Sequence, residues 1–159
     1  MAANGGGGKG DNEIDLFEDI FHVHQVNPDG DKKFDNVARI LAKSETYGAD
    51  VTVDIYSQVF PVKAGEMLSI KFVTTINVDG TPDTGKYDPT DRETLLDEFD
   101  YAMYGKVFRY DIAAKHPPRA TIIASYGGLL MKMEGNREHF TRLRKGQRIY
   151  MLMRKVTSS

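Results

Sequence analysis

No cysteine occurs in the 159 residues, which excludes a disulfide framework and any thiolate metal centre and is compatible with a reducing compartment. Long apolar runs are also missing. The longest stretch without a charged side chain, Ala120 to Met131, is far shorter than the roughly 20 residues that span a bilayer. The first residues lack the basic-then-apolar order of a secretory leader, and Ala2 removes a myristoylation signal. A soluble, intracellular protein is the expectation. No internal repeat is visible. The net charge of −2 is small but unevenly spread. Asp79 to Asp100 holds eight acidic residues against two basic ones, whereas Lys132 to Lys155 holds eight basic against two acidic. Such asymmetry is a surface property and bears on partners rather than on fold.

Residues 1–13 read as a flexible glycine-rich tail, 14–156 as one domain, and 157–159 as a short tail. Gly8-Lys9-Gly10 is no phosphate loop, because Ala3 and Gly10 stand where a glycine and a Ser or Thr are required. Leu16 to Val26 alternates as a strand, with Phe17, Phe21 and Val23 on one side. Asn27-Pro28-Asp29-Gly30 is a turn, and Lys32 and Ala38 rule out a calcium loop. Phe34 to Ser44 reads as a second strand, although periodicity leaves a helix over Asp35 to Lys43 open. Val51, Val53 and Ile55 alternate in a half-buried strand, Lys63-Ala64-Gly65 turns the chain, and Met67 to Val78 is the clearest strand. Residues 79–98 form a long acidic loop, rich in turn signals, with room for a short helix from Asp91 to Phe99. Strands follow from Asp100 to Tyr110, through Ala120 to Met131, and from Arg148 to Val156. About eight short strands with little helix point to an all-β protein, a small antiparallel barrel or sandwich.

Ser125-Tyr126-Gly127-Gly128-Leu129-Leu130-Met131 is the stretch around which these strands are organised. Its glycine pair suits a two-residue hairpin turn. The preferred reading is a bend within one long strand. If Ala113 to Arg119 turns the chain back, Gly105 falls opposite Gly127 or close to it, and Gly105, Gly127 and Gly128 together mark a barrel corner.

No catalytic constellation survives inspection. Ser125 has Ile123 two places before it, so the nucleophile elbow is absent. His22 and His24 share a strand face without a third ligand, and the methionines at 131, 133, 151 and 153 suit core filling. No catalytic, metal or cofactor residue is assigned. Arg142, Arg144, Lys145 and Arg148 form the candidate nucleic-acid contact, with Phe140 and Tyr150 available to stack. Because they crowd into one loop rather than tracking a groove, direct nucleic-acid contact is not the favoured reading. The candidate partner-docking set is Tyr104, Tyr126, Leu129, Leu130 and Met131. Within a continuous strand Tyr126 and Leu130 share one parity and Leu129 and Met131 the other, so one pair must face outward.

Six segments, in order, carry a resemblance: Leu16-Phe17-Glu18-Asp19-Ile20-Phe21; Pro28-Asp29-Gly30 with Lys33-Phe34-Asp35; Asp79-Gly80-Thr81-Pro82-Asp83-Thr84-Gly85; Tyr104-Gly105-Lys106-Val107; Ser125 to Met131; and Tyr150-Met151-Leu152-Met153-Arg154-Lys155. Together they resemble the shared eighth subunit of eukaryotic nuclear RNA polymerases I, II and III, over nearly all of Leu16 to Val156. The resemblance implies an oligonucleotide/oligosaccharide-binding-type barrel, a location in the nucleus, no cofactor, and a non-catalytic place in the polymerase, docked on its largest subunit. It gives no role to the glycine-rich tail or to the Arg142 to Arg148 stretch. The alternative is a free barrel that binds single-stranded nucleic acid.

Overall fold

The computed structural model describes residues 15–27, 36–76, 95–114 and 116–157. The acidic loop up to residue 94, both tails apart from Thr157, and the turn beyond Asn27 lie outside the described residues. Eight strands appear among those described: β1 (Asp15–Val26), β2 (Val37–Ser44), β3 (Asp50–Tyr56), β4 (Met67–Val73), β5 (Tyr101–Ala113), β6 (Arg119–Tyr126), β7 (Leu129–Asn136) and β8 (Arg148–Val156). Short 3-10 turns cover Leu95–Glu98 and Arg137–Phe140. No described helix is long and apolar enough to cross a membrane.

The strands close into an antiparallel barrel in the order β1-β2-β3-β7-β6-β5-β8-β4, with β1 pairing both β2 and β4. The fold is therefore all-β, as the strand pattern predicts. Closure works because alternate residues point inward, and in an eight-stranded barrel their side chains fill the interior. Phe21, Ile40, Val53, Ile70, Phe72, Ile122, Met133 and Met151 are buried without residual exposure. Val37 to Lys43 belongs to the strand side of the open choice, since Ile40 pairs with Val53 and Val26 across the ladder. β4 stops at Val73 rather than Val78. Val73 is its last partnered residue, facing Asp15 at the start of β1 and Tyr150 of β8.

The bend expected at the glycine pair is corrected. Gly127 and Gly128 form a two-residue hairpin turn between β6 and β7, with φ of +64° and +99°. Two successive positive φ values define the type I′ turn, whose twist matches that of the strands it joins. The turn pairs Tyr126 with Leu129 and Ser125 with Leu130. Gly105 has a different task. A Cβ there would stand 2.0 Å from the Ser125 carbonyl oxygen and 2.7 Å from Cδ1 of Tyr126. Only a bare backbone lets β6 and the Tyr126 ring come so close.

Two buried carboxylates hold turns. Asp19 accepts from the N–H groups of Ile20 (2.8 Å), Thr46 (3.1 Å) and Tyr47 (3.0 Å), anchoring the β2–β3 turn to β1. Asp54 accepts from Arg39 Nε at 2.7 Å and from the Leu130 N–H at 3.2 Å, pinning the start of β7. On another face, Lys155 donates to the Pro61 carbonyl, pairs with Glu66 at 3.3 Å, and lies 5.6 Å from the Phe60 ring centre. The Glu66 carboxyl is held below its ordinary value of 4.5, chiefly by the Lys63 N–H; burial opposes this and Lys155 reinforces it.

Gly105→Ala forces a strand apart and should cost about 3 kcal/mol or more, whereas Gly128→Ala strains only an open turn, at about 1–2 kcal/mol. Urea midpoints compare them, and equal midpoints would contradict the close approach at Gly105. Because the folded-state value of Glu66 is depressed, its stabilisation is present above the unfolded value and is lost as pH falls through the folded one. Lys155→Met should raise the Glu66 midpoint in an NMR titration without restoring it fully, since the Lys63 N–H remains. No change would show that the pair is not formed in solution.

Candidate docking surface

The hairpin turn resets side-chain parity, and this decides which candidates face a partner. Tyr126 and Leu129 are cross-strand neighbours, so both point to the same side, which is the interior. Tyr126 is 5% exposed, its hydroxyl lies 4.0 Å from Met131 Sδ, and burial pushes its phenol pKa up. Leu129 and Met131 are buried with it. Reading one continuous strand across Gly127-Gly128 gave the wrong parity for this set, and these three residues belong to the core. Tyr104 and Leu130 are 46% and 44% exposed and remain available to a partner.

Tyr104 stands on the rim of a shallow apolar groove of about 430 Å³ at the hairpin end of the barrel. Ala102, Met103, Tyr126, Gly127 and Leu129 contribute to it, and Tyr56 and Val59 border its other side. Val59, in the turn after β3, is 69% exposed. The floor is rigid. Tyr101 accepts a hydrogen bond from the Tyr56 N–H at 3.0 Å, and its ring stacks on Phe60 with centroids 5.2 Å apart and planes 6° from parallel. Such a supported aromatic floor with an exposed apolar rim suits a protein partner better than a small polar ligand. The sequence reading missed Tyr56 and Val59. The available signal was an apolar residue inside a turn, Val59, directly before a core aromatic, Phe60.

The four basic candidates make different contacts. Arg142 donates to the Asp15 carbonyl at 3.0 Å, across the barrel end. Arg144 and Lys145 line a notch beside Tyr110 and Ile112. Arg148 lies on the outer face, opposite Lys106 of β5. Of the two stacking candidates, Phe140 is fully buried, with its ring 5.1 Å from that of Phe17. Phe140 is therefore a core residue, drawn inward because its 3-10 turn lies across the end of the barrel. Tyr150 is half-buried and tilts against Tyr104 at 4.5 Å. His22 pairs with Glu45 at 2.8 Å in the open, and His24 is exposed on the same strand. Among the described residues, no three His, Cys, Asp or Glu side chains converge as a metal site would require.

The sequence matches the RNA polymerase Rpb8 family over residues 18–155. It is 38% identical over 143 residues to a subunit from Arabidopsis thaliana named DNA-directed RNA polymerases II, IV and V subunit 8B, covering 90% of this chain and 97% of that one. It is 38% identical over 142 residues to DNA-directed RNA polymerases I, II, and III subunit rpabc3 of Dictyostelium discoideum, covering 89% and 97%. It is 33% identical over 148 residues to subunit RPABC3 of Saccharomyces cerevisiae, covering 88% and 97%. With the match running from β1 into the last residues of β8, and a closed eight-stranded barrel beneath it, this chain belongs to the RNA polymerase Rpb8 family.

Proposed function

We propose that this chain is a non-catalytic subunit of nuclear DNA-directed RNA polymerases and docks on the largest subunit through the groove at its hairpin end. Family membership across nearly the whole chain carries the first half of this reading. The relatives are named as subunits of polymerases I, II and III, or of II, IV and V in Arabidopsis thaliana. A barrel whose interior is filled by side chains acts through its surface, and its part is to brace a larger assembly. Supporting the second half, the groove gathers exposed Tyr56, Val59 and Tyr104 over a floor that is already ordered. Little ordering entropy is lost when such a surface is covered, so burial translates efficiently into affinity.

A second reading has one observation in its favour. On the outer face, the cross-strand pair Tyr104–Tyr150 sits directly beside the cross-strand pair Lys106–Arg148. Aromatics and cations on adjacent rows of two strands are what single-stranded nucleic acid uses. A steep fall of oligonucleotide affinity with salt, abolished by Arg148→Glu, would support that reading.

Val59→Asp tests the docking reading. Val59 is exposed, so the variant should melt like the wild type, while a buried charge in the interface should cost about 2 kcal/mol or more of binding. The expected result is loss of the variant from polymerase purified through a salt wash. Full stoichiometry of a folded Val59→Asp variant would exclude the groove as the docking surface. Tyr126→Ala is unsuitable for this test, because emptying a core aromatic site should itself destabilise the fold by about 3–5 kcal/mol.

A further inference from the structure

Closure of the barrel does not consume all of β5. β8 pairs with β5 only from Tyr101 to Lys106. At Val107 the N–H still donates to the Gln147 carbonyl at 2.9 Å and the carbonyl accepts from the Gly146 N–H at 2.7 Å. Immediately afterwards a bulge between Val107 and Arg109 shifts the register, and β5 continues to Ala113 paired with β6 alone. Among the described residues, Arg109–Ala113 therefore has a strand on one side and none on the other. The ladder alternates, so every second residue of this stretch turns its N–H and C=O toward the open side. Such an edge is a template for another strand.

The surroundings of this edge say what strand it suits. Phe108 is exposed, and Ile112 is 47% exposed at the outer end. Beside them lies a notch between β5 and the loop that precedes β8, with Tyr110, Ile112 and Leu143 as its apolar wall and Arg137, Arg144 and Lys145 as its charged rim. Among the described residues, no acidic side chain lines the notch. The nearest carboxylate on the edge itself, Asp111, is already paired with Arg109 at 2.9 Å. The wall is fixed, since Tyr110 donates to the Phe140 carbonyl at 3.0 Å and Leu143 is buried. An open edge presents N–H and C=O groups in alternation, which a peptide backbone pairs in full, whereas a phosphate chain only accepts and leaves the carbonyls unpaired. Ile112 likewise offers a side-chain pocket rather than a stacking platform.

We propose that the open edge of β5, Arg109–Ala113, receives an extended segment of a partner protein as an added strand, with alternate apolar residues facing the notch and acidic residues facing its cationic rim. This is strand addition, in which main-chain bonds supply affinity and alternating side chains supply specificity. The site runs along β6 from Ile123 to Arg119, away from the Gly127-Gly128 turn and roughly 13–26 Å from it at strand rise. Both ends can therefore be engaged at once.

The test uses the isotope-labelled full chain and a short peptide of alternating valine and glutamate. Amide resonances of Arg109–Ala113 and of the notch loop should shift in a saturable way, and hydrogen exchange along that edge should slow. A peptide of the same composition in scrambled order should bind at least about tenfold more weakly. So should the alternating peptide toward the Ile112→Lys or Lys145→Glu chain, both exposed positions whose substitution should leave the melting temperature unchanged. Equal binding by a valine–lysine peptide, or an absence of shifts at the edge, would overturn the proposal. Saturation of the same amides by oligothymidylate at lower concentration would overturn it too, by making the notch a nucleic-acid site.

Discussion

One backbone-on-backbone contact governs the hairpin end of this barrel. At Gly105 the Ser125 carbonyl approaches to where a side chain would otherwise stand. That closeness lets β6 run tightly along β5 and carries the Tyr126 ring inside, against Met131. The groove floor consists of residues packed behind this contact. A bulkier residue at 105 would not merely loosen one strand pair; it would lift the floor on which Tyr56, Val59 and Tyr104 stand.

The barrel treats its polar burdens economically. Asp19 and Asp54 are buried, which is costly for a carboxylate without partners. Asp19 instead collects N–H groups of the β2–β3 turn, and Asp54 accepts from the Leu130 N–H and from Arg39. The β2–β3 turn is thereby tied to β1, and the start of β7 to β3. No buried side-chain nitrogen or oxygen among the described residues lacks a partner. The interior carries apolar volume, and the polar atoms of Asp19 and Asp54 have been turned to holding geometry. What distinguishes one face from another is therefore left to the outer side chains and to the open stretch of β5.

Period-two alternation made most of the strands legible before any coordinates. Phe17, Phe21 and Val23, or Leu68, Ile70 and Phe72, follow the expected faces, and the all-β class followed from them. The same rule failed at Tyr126, Leu129 and Met131, for a definite reason. Alternation holds along a strand and restarts after a two-residue turn, and Gly-Gly is compatible with either a turn or a bend. Phe140 was misplaced because short 3-10 segments have no period to read. The groove partners Tyr56 and Val59 and the open edge at Arg109–Ala113 depend on which strands meet in space. Pairing between residues about fifty positions apart, as between β5 and β8, leaves no local mark in the sequence.

The tight turn at Gly127-Gly128 also sets a rule for how this chain can vary in length. With β7 bonded to β3 on one side and β6 on the other, its register is fixed twice over. One extra residue in the turn, absorbed by sliding β7, would send Met131 and Met133 to the surface and draw Leu130 and Lys132 inward. Insertions and deletions are thus closed off here, while the connections that bear no such double register stay free to lengthen. Change in length belongs to the loops, and this hairpin is a place where only substitution is open.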